Sequence, residues 1–552
     1  MVSKLIGILR LKMENSEVTK KVLLIIIGFL THFVSAQTTF THADSLRGGY
    51  GDSRSWWDLQ AYDLNVKFDI ASKTISGVNL IRFSSEKNLK NKTLQIDLQS
   101  PMVLDSAIFK GQRLFVKDDG SAHFVTIVSS ELTNEIQIYF HGSPKVAKLP
   151  PWDGGIIWAK DSNGKPWVTI ACQNLGASVW FPCKDSQVDE PQNGVTMHFT
   201  VPDGLVCVSN GSSTGKSAAE MGWTSYNWVV KNPINNYCMI PYIGDYVNVH
   251  RDYKGEKGML SIDFWTLRAN QSKAEKRIGE ALRTIEAMEY WFGPYPFYED
   301  GYKLVETPHL GMEHQGAIAY GNGFQNGYKG TDLSGTGIGM KWDFIIVHES
   351  GHEWFGNNIT SKDIADMWIH ESFTNYSESL FTEYFFSKKE GETYCRGLRK
   401  NIENDRSIIG AYGVQNEGSS DMYYKGANML QTIRSVVNND TLFRSMLRSL
   451  NTNFYHQQVT TEQIENYMSQ VLKMDLKPVF DQYLRTTKIP VLEMQFGKDF
   501  VKYRWTNCVS DFNLPIRTAS GVYSASTKWT KQKLIYKKQF DVDLNMYIKI
   551  KS

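Results

Sequence analysis

Two histidines four residues apart, with a glutamate directly after the first, stand at His348-Glu349-Ser350-Gly351-His352. On a helix, residues four apart share a face, so both imidazoles can reach one zinc ion. Glu349 would then sit beside the metal without ligating it, placed to take a proton from a bound water. With 12 histidines in 552 residues, chance produces the pattern in roughly one such chain in a hundred. A charged, exposed helix turn is the plain alternative.

A catalytic zinc site typically has three protein ligands and one open position. Downstream, Trp368-Ile369-His370-Glu371-Ser372-Phe373-Thr374-Asn375-Tyr376 offers two adjacent candidates, His370 and Glu371. They project about 100° apart around a helix, so only one can face the metal. A turn between two antiparallel helices would bring either beside the histidine pair. Glu378, two turns beyond Glu371 on the same face, is a candidate to orient a ligand histidine, or else a solvent-exposed acid.

The elements that must position these residues change character along the chain. Tyr62-Asp63-Leu64-Asn65-Val66-Lys67-Phe68-Asp69-Ile70 alternates apolar and polar residues, as does Glu135-Ile136-Gln137-Ile138-Tyr139-Phe140. This period of two predicts half-buried strands from about residue 58 to 250. Near residue 270 the spacing becomes helical, and Ala274 to Phe292 reads as a helix stopped by Gly293-Pro294. Two long helices are expected over 340–356 and 365–387, and several more over 424–485. Alternation returns in Val491-Leu492-Glu493-Met494-Gln495-Phe496. The fold class expected is α+β and multidomain.

Bulk properties narrow the partners. The chain carries 60 basic and 58 acidic side chains, a formal net charge of +2. That balance gives no electrostatic case for a nucleic-acid or polybasic membrane partner. Lys20-Lys21, the apolar run Val22–Leu30 and the small residues Val34-Ser35-Ala36 read as an export signal over residues 1–36, with Met13 an alternative start. The run is too short to span a bilayer comfortably, so no stable membrane span is expected after cleavage, and the product would work in a periplasm or outside the cell. Six cysteines (Cys172, Cys183, Cys207, Cys238, Cys395 and Cys508) permit disulfides in an exported protein or remain buried thiols. None forms a C-x-x-C pair, which argues against a cysteine zinc site.

The run His348-Glu349-Ser350-Gly351-His352-Glu353-Trp354-Phe355-Gly356-Asn357 resembles that of the aminopeptidase N family of gluzincin metallopeptidases, whose motif is H-E-x-x-H, eighteen residues, then E. Tyr62-Asp63-Leu64 with Gly77-Val78, Pro233-Ile234-Asn235-Asn236-Tyr237 and Phe292-Gly293-Pro294-Tyr295-Pro296-Phe297 are similar to further stretches of that family, so the likeness covers about residues 60–490. The resemblance implies a saddle-like β domain (45–250), a thermolysin-like zinc catalytic domain (251–487) and a short β-sandwich (488–552), without the large helical C-terminal domain of many members. It implies one Zn²⁺ per chain on His348, His352 and Glu371, with Glu349 as general base. Tyr423, in Tyr423-Tyr424-Lys425-Gly426, matches the tyrosine that stabilises the oxyanion. Glu313 matches the glutamate of G-x-M-E-N that binds the substrate's free α-amine, and Gln173 the glutamine that assists it. Gly311, Met312 and His314 complete the substrate-binding segment. The implied activity is hydrolysis of the N-terminal peptide bond of peptides with a free amine.

The sequence departs from the family at His314, where Asn is usual, and at Leu310, where the motif's first Gly would fall. His314 either donates a hydrogen bond as the amide would or titrates near neutral pH as Asn cannot; it is also a candidate adventitious metal ligand. A loop that failed to hold the amine would give an endopeptidase or related hydrolase. A scaffold without metal would be a non-catalytic peptide-binding relative. Ending without the helical domain implies a more open cleft.

Overall fold

The structure is a computed structural model describing residues 39–552; the export signal read at 1–36 lies outside the described residues. From Ala43 to Ser552 the chain forms one compact unit.

The first half is β-rich. An eight-stranded sheet is centred on Trp57–Asp69, which pairs antiparallel with Thr74–Ser85 and parallel with Val195–Pro202. Leu64, Val66 and Phe68 are buried on one face of that strand, as the alternation predicts. A second, four-stranded sheet contains the antiparallel pair Gly155–Lys160 and Pro166–Ala171, in which Gly155 lies opposite Ala171. The chain leaves this pair at one end toward Trp152 and toward Gln173, a juxtaposition that matters below.

A five-stranded sheet follows, in the order Tyr246–Gly255, Gly258–Leu267, Tyr302–Glu306, Ile318–Tyr320, Gly311–Met312. Tyr246–Gly255 pairs along its whole length with Gly258–Leu267. The domain division expected at 250/251 therefore falls inside a strand, and the change of sheets lies before Tyr246. The two-residue strand Gly311–Met312 is the edge of this sheet, paired only with Ile318–Tyr320. Met312 is buried in the core of the β-rich part, together with Val305, Ala317 and Ala319.

The helical region begins with Gln271–Phe292, whose Ala274, Ile278, Ala281, Ile285, Met288 and Phe292 form a buried stripe. It stops where Gly293, at φ +97°, returns its N–H to the Glu289 carbonyl. The helix expected over 340–356 is shorter, Phe344–Gly351. Asp343 caps it by accepting from the Ile345 and Ile346 amides at 3.2 and 3.4 Å. His352 keeps α-helical dihedrals at its C-cap, but the chain then turns, with Gly356 at φ +132°. The second motif helix is Trp368–Phe385, buried from Trp368 to Thr382. It crosses the first where Gly351 meets Ser377: a Cβ on Gly351 would stand 2.6 Å from the Ser377 Oγ. The close crossing brings Glu371 beside the histidine pair. A third helix, Tyr424–Val437, packs as tightly on the second, since a Cβ on Gly426 would meet the Ser372 Oγ at 1.8 Å.

Beyond Arg485, Val491–Phe496 and Phe500–Thr506 lie at the centre of a four-stranded sheet, and Ile516–Thr518 with Gly521–Tyr523 form a separate hairpin. The Phe540 ring bridges them, 4.9 Å from Tyr503 and 5.3 Å from Tyr523. All six cysteines are free thiols, five of them buried. No helix among the described residues is long and apolar enough to cross a membrane.

Candidate active site

His348 and His352 project from one face of Phe344–Gly351 and its C-cap toward Glu371 on the crossing helix. Glu371 Oε2 lies 3.8 Å from His348 Nε2 and 3.4 Å from His352 Nε2. The outer nitrogens are fixed by partners. His348 Nδ1 donates to Glu378 Oε1 at 2.7 Å, and His352 Nδ1 meets the Phe355 carbonyl at 3.1 Å and Thr374 Oγ1 at 3.2 Å. Holding Nδ1–H in this way leaves each Nε2 lone pair facing Glu371. Burial alone would raise the Glu371 carboxyl, yet the two imidazoles hold it well below the usual carboxylate range. Its Oε2 is buried without a hydrogen-bond partner.

His370, the competing ligand, faces away. Its Nε2 accepts the Ser361 amide at 2.9 Å, and burial pushes it down to about 3. Glu378 is fully buried, not a surface acid, and takes further hydrogen bonds from Asn375 at 2.8 Å and Tyr394 at 2.7 Å.

Glu349 lies next to the triad, and burial pushes its carboxyl up to about 7 against the pull of the histidines. Its space depends on Gly311: a Cβ there would stand 2.6 Å from Glu349 Oε1. Across the cleft, the Tyr423 ring stacks on His348 at 6.1 Å between centroids. Burial first, then the Glu371 and Glu313 charges, raises its phenol well above the ordinary value, so it remains a proton donor.

Glu313 is buried, with Oε1 accepting from Gln173 Nε2 and, at 3.0 Å, from the Tyr237 hydroxyl. Its backbone carbonyl is held by Asn357 Nδ2 at 2.9 Å. One ligating atom each of Glu313, Glu349 and His352 falls within 4.8 Å of the others. Sequence reasoning gave no role to Tyr237 or Asn357, although both stand within stretches that carry the family resemblance; each acts through a buried hydrogen bond that spacing does not reveal.

His314 does not reach the cleft, which corrects its assignment to the substrate-binding set. The Tyr242 hydroxyl donates its one proton to the Ala317 carbonyl at 2.6 Å, so His314 Nδ1, also at 2.6 Å, must be the donor to Tyr242. Burial drives the imidazole well below its ordinary range, so it does not titrate near neutrality. Gly311, Met312 and Glu313 do line the cleft, as do Gln173, Glu349 and Tyr423 around a cavity of about 510 Å³.

A two-histidine, one-carboxylate set suits zinc. His348, His352 and Glu371 offer atoms within 4.8 Å of one another, and the unpartnered Glu371 Oε2 is the acceptor such an ion would satisfy. Because Glu378 orients His348, Glu378→Gln is expected to weaken zinc affinity about 10- to 100-fold, as read by competition against a chromogenic chelator.

Together, fold and site bring the two histidines of the H-E-x-x-H motif and a downstream glutamate into one buried group that could hold a metal ion. Residues 278–483 match the peptidase family M1 domain. Curated relatives include a leucyl aminopeptidase of Saccharolobus solfataricus, 21% identical over 450 residues covering 79% of this chain and 54% of that one. The aminopeptidase N of Lactobacillus helveticus is 22% identical, covering 79% and 52%. The chain thus spans about half the length of the curated relatives it matches. An M1 zinc metallopeptidase from Deinococcus radiodurans shares the fold, with a TM-score of 0.66 at 20% identity over 80% of this chain and 98% of that one.

Proposed function

We propose that this chain is a zinc-dependent aminopeptidase that removes the N-terminal residue of peptides, working outside the cytoplasm if residues 1–36 serve as the export signal their sequence resembles. The observation that carries the reading is the closeness of Glu313 to Glu349 and His352, within 4.8 Å. The amine nitrogen and carbonyl carbon of one residue are two bonds of about 1.5 Å apart. A carboxylate that grips the amine this near the metal triad presents the first peptide bond, and no later one, to it.

When bound, zinc supplies a Lewis acid that polarises a carbonyl and acidifies water. Glu349 is placed to take a proton from the attacking water and to pass it to the leaving amine. The Tyr423 phenol donates to the oxygen on which negative charge develops. Glu313, steadied by Gln173 and Tyr237, holds the substrate ammonium. The open edge of Gly311–Met312 suits an extended peptide backbone. Relatives named aminopeptidases, and a Deinococcus metallopeptidase mutant solved with a Tyr-Ser-Ala substrate bound, support the reading.

A panel of aminoacyl reporter substrates tests it. Cleavage is expected to stop with a zinc chelator and return when zinc is restored; undiminished cleavage in chelator would refute it.

A further inference from the structure

We propose that Trp152 forms a wall of the pocket for the side chain of the substrate's N-terminal residue, and selects large apolar and aromatic residues there. The proposal rests on the aminopeptidase reading and adds a specificity element to it.

Trp152 lies on the loop between strands Thr133–Gly142 and Gly155–Lys160. Its indole is 69% exposed, yet it lines the same cleft as Gln173, Glu313 and His348. The strand register explains why. Gly155 pairs with Ala171, so Trp152, three residues before, and Gln173, two residues after, leave the same end of one antiparallel pair. Gly154, at φ +63°, packs directly under this end: a Cβ there would be 2.9 Å from the Leu175 side chain. The residue that helps hold the ammonium through Glu313 and the exposed indole therefore stand on one wall. A substrate whose amine sits at Glu313 carries its first side chain, one bond removed from that amine's Cα, into this neighbourhood. Leu310 and Met312 add apolar surface to the same cleft.

The loop that carries the indole is held in place. The Asp153 carboxylate accepts the Lys148 and Leu149 amides at 2.7 and 2.9 Å, and the Asp153 carbonyl accepts from Lys145 Nζ at 2.9 Å. Across the loop base the Ala147 N–H donates to the Ile156 carbonyl at 3.0 Å, and the Ile156 N–H donates to the Lys145 carbonyl at 2.8 Å. A large aromatic surface presented to water at a cleft mouth favours ligands that cover it, because burying it removes apolar area from solvent.

The test is kcat/KM for two peptide series on the metal-loaded enzyme. One series varies the first residue (Phe, Leu, Ala) and the other varies the second. In Trp152→Ala, the Phe-to-Ala ratio in the first series is expected to fall about tenfold, chiefly through KM, and Trp152→Phe is expected to restore most of it. A ratio that stays constant, or one that shifts in the second series instead, overturns the proposal. Acetylated counterparts separate the two levels. If wild-type enzyme requires a free amine and the ratio is unmoved, only the role of Trp152 fails. If wild-type enzyme cleaves acetylated peptides equally well, the amine anchor fails and the Trp152 pocket falls with it.

Discussion

Glu349→Gln is expected to lower kcat by about 10²- to 10⁴-fold, the range for loss of a general base, while zinc content stays at one per chain. The two halves of this expectation have separate causes. Glutamine has the shape of glutamate, so it fits the space that Gly311 leaves, where a Cβ would approach within 2.6 Å of Glu349 Oε1. The amide cannot take the proton that the carboxylate takes. The metal triad of His348, His352 and Glu371 does not include residue 349, and its supporting bonds to Glu378, Thr374 and the Phe355 carbonyl are untouched. Metal analysis beside steady-state kinetics reads both halves. Loss of zinc in this variant would mean that Glu349 ligates, and full activity would remove it from the mechanism.

The second large effect is expected at Glu313. Glu313→Gln keeps an oxygen to accept from Gln173 and Tyr237, so the buried network around it survives. What disappears is the charge. A substrate ammonium drawn into this buried site would lose its ionic partner, and truncating one side of a buried charge pair costs about 2–5 kcal/mol. On that scale kcat/KM for peptides with a free N-terminus is expected to fall roughly 10²- to 10³-fold. Acetylated peptides, which bring no ammonium, should respond little. An equal fall on both kinds of peptide would assign Glu313 a structural role instead.

Much of this site could be read from the chain because its chemistry follows helix geometry. His348 and His352 share a face whether their helix spans the expected seventeen residues or the observed Phe344–Gly351, since His352 keeps helical dihedrals at the cap. Beyond Gly351 the chain turns instead of continuing the helix, and Trp354 and Phe355 are buried within the turn that leads to Gly356. Between His370 and Glu371 spacing was neutral, and the family resemblance decided. The structure gives the physical reason, a backbone amide of Ser361 that occupies His370.

Other features had no local signal. His314 follows a two-residue edge strand and stands in a turn, with the Ala317 N–H returning to its carbonyl at 2.9 Å and its imidazole on Tyr242. Alternation cannot be read from two residues. Tyr237, in the short 3-10 turn Asn236–Cys238, and Trp152, on a loop, come to the site from the β-rich part over sequence separations that no motif spans. The small C-terminal region was recognisable by its alternation, but its split into a sheet and a hairpin bridged by Phe540 was not.

The central claim is that a buried carboxylate beside a zinc triad makes this chain act from the N-terminus of peptides. One peptide, assayed with wild-type enzyme with its N-terminus free and then acetylated, tests that claim most directly. Release of the first amino acid from the free form, and loss of cleavage by at least about a hundredfold on acetylation, is the expected result. Comparable cleavage of both forms, or cuts at internal bonds, would contradict it.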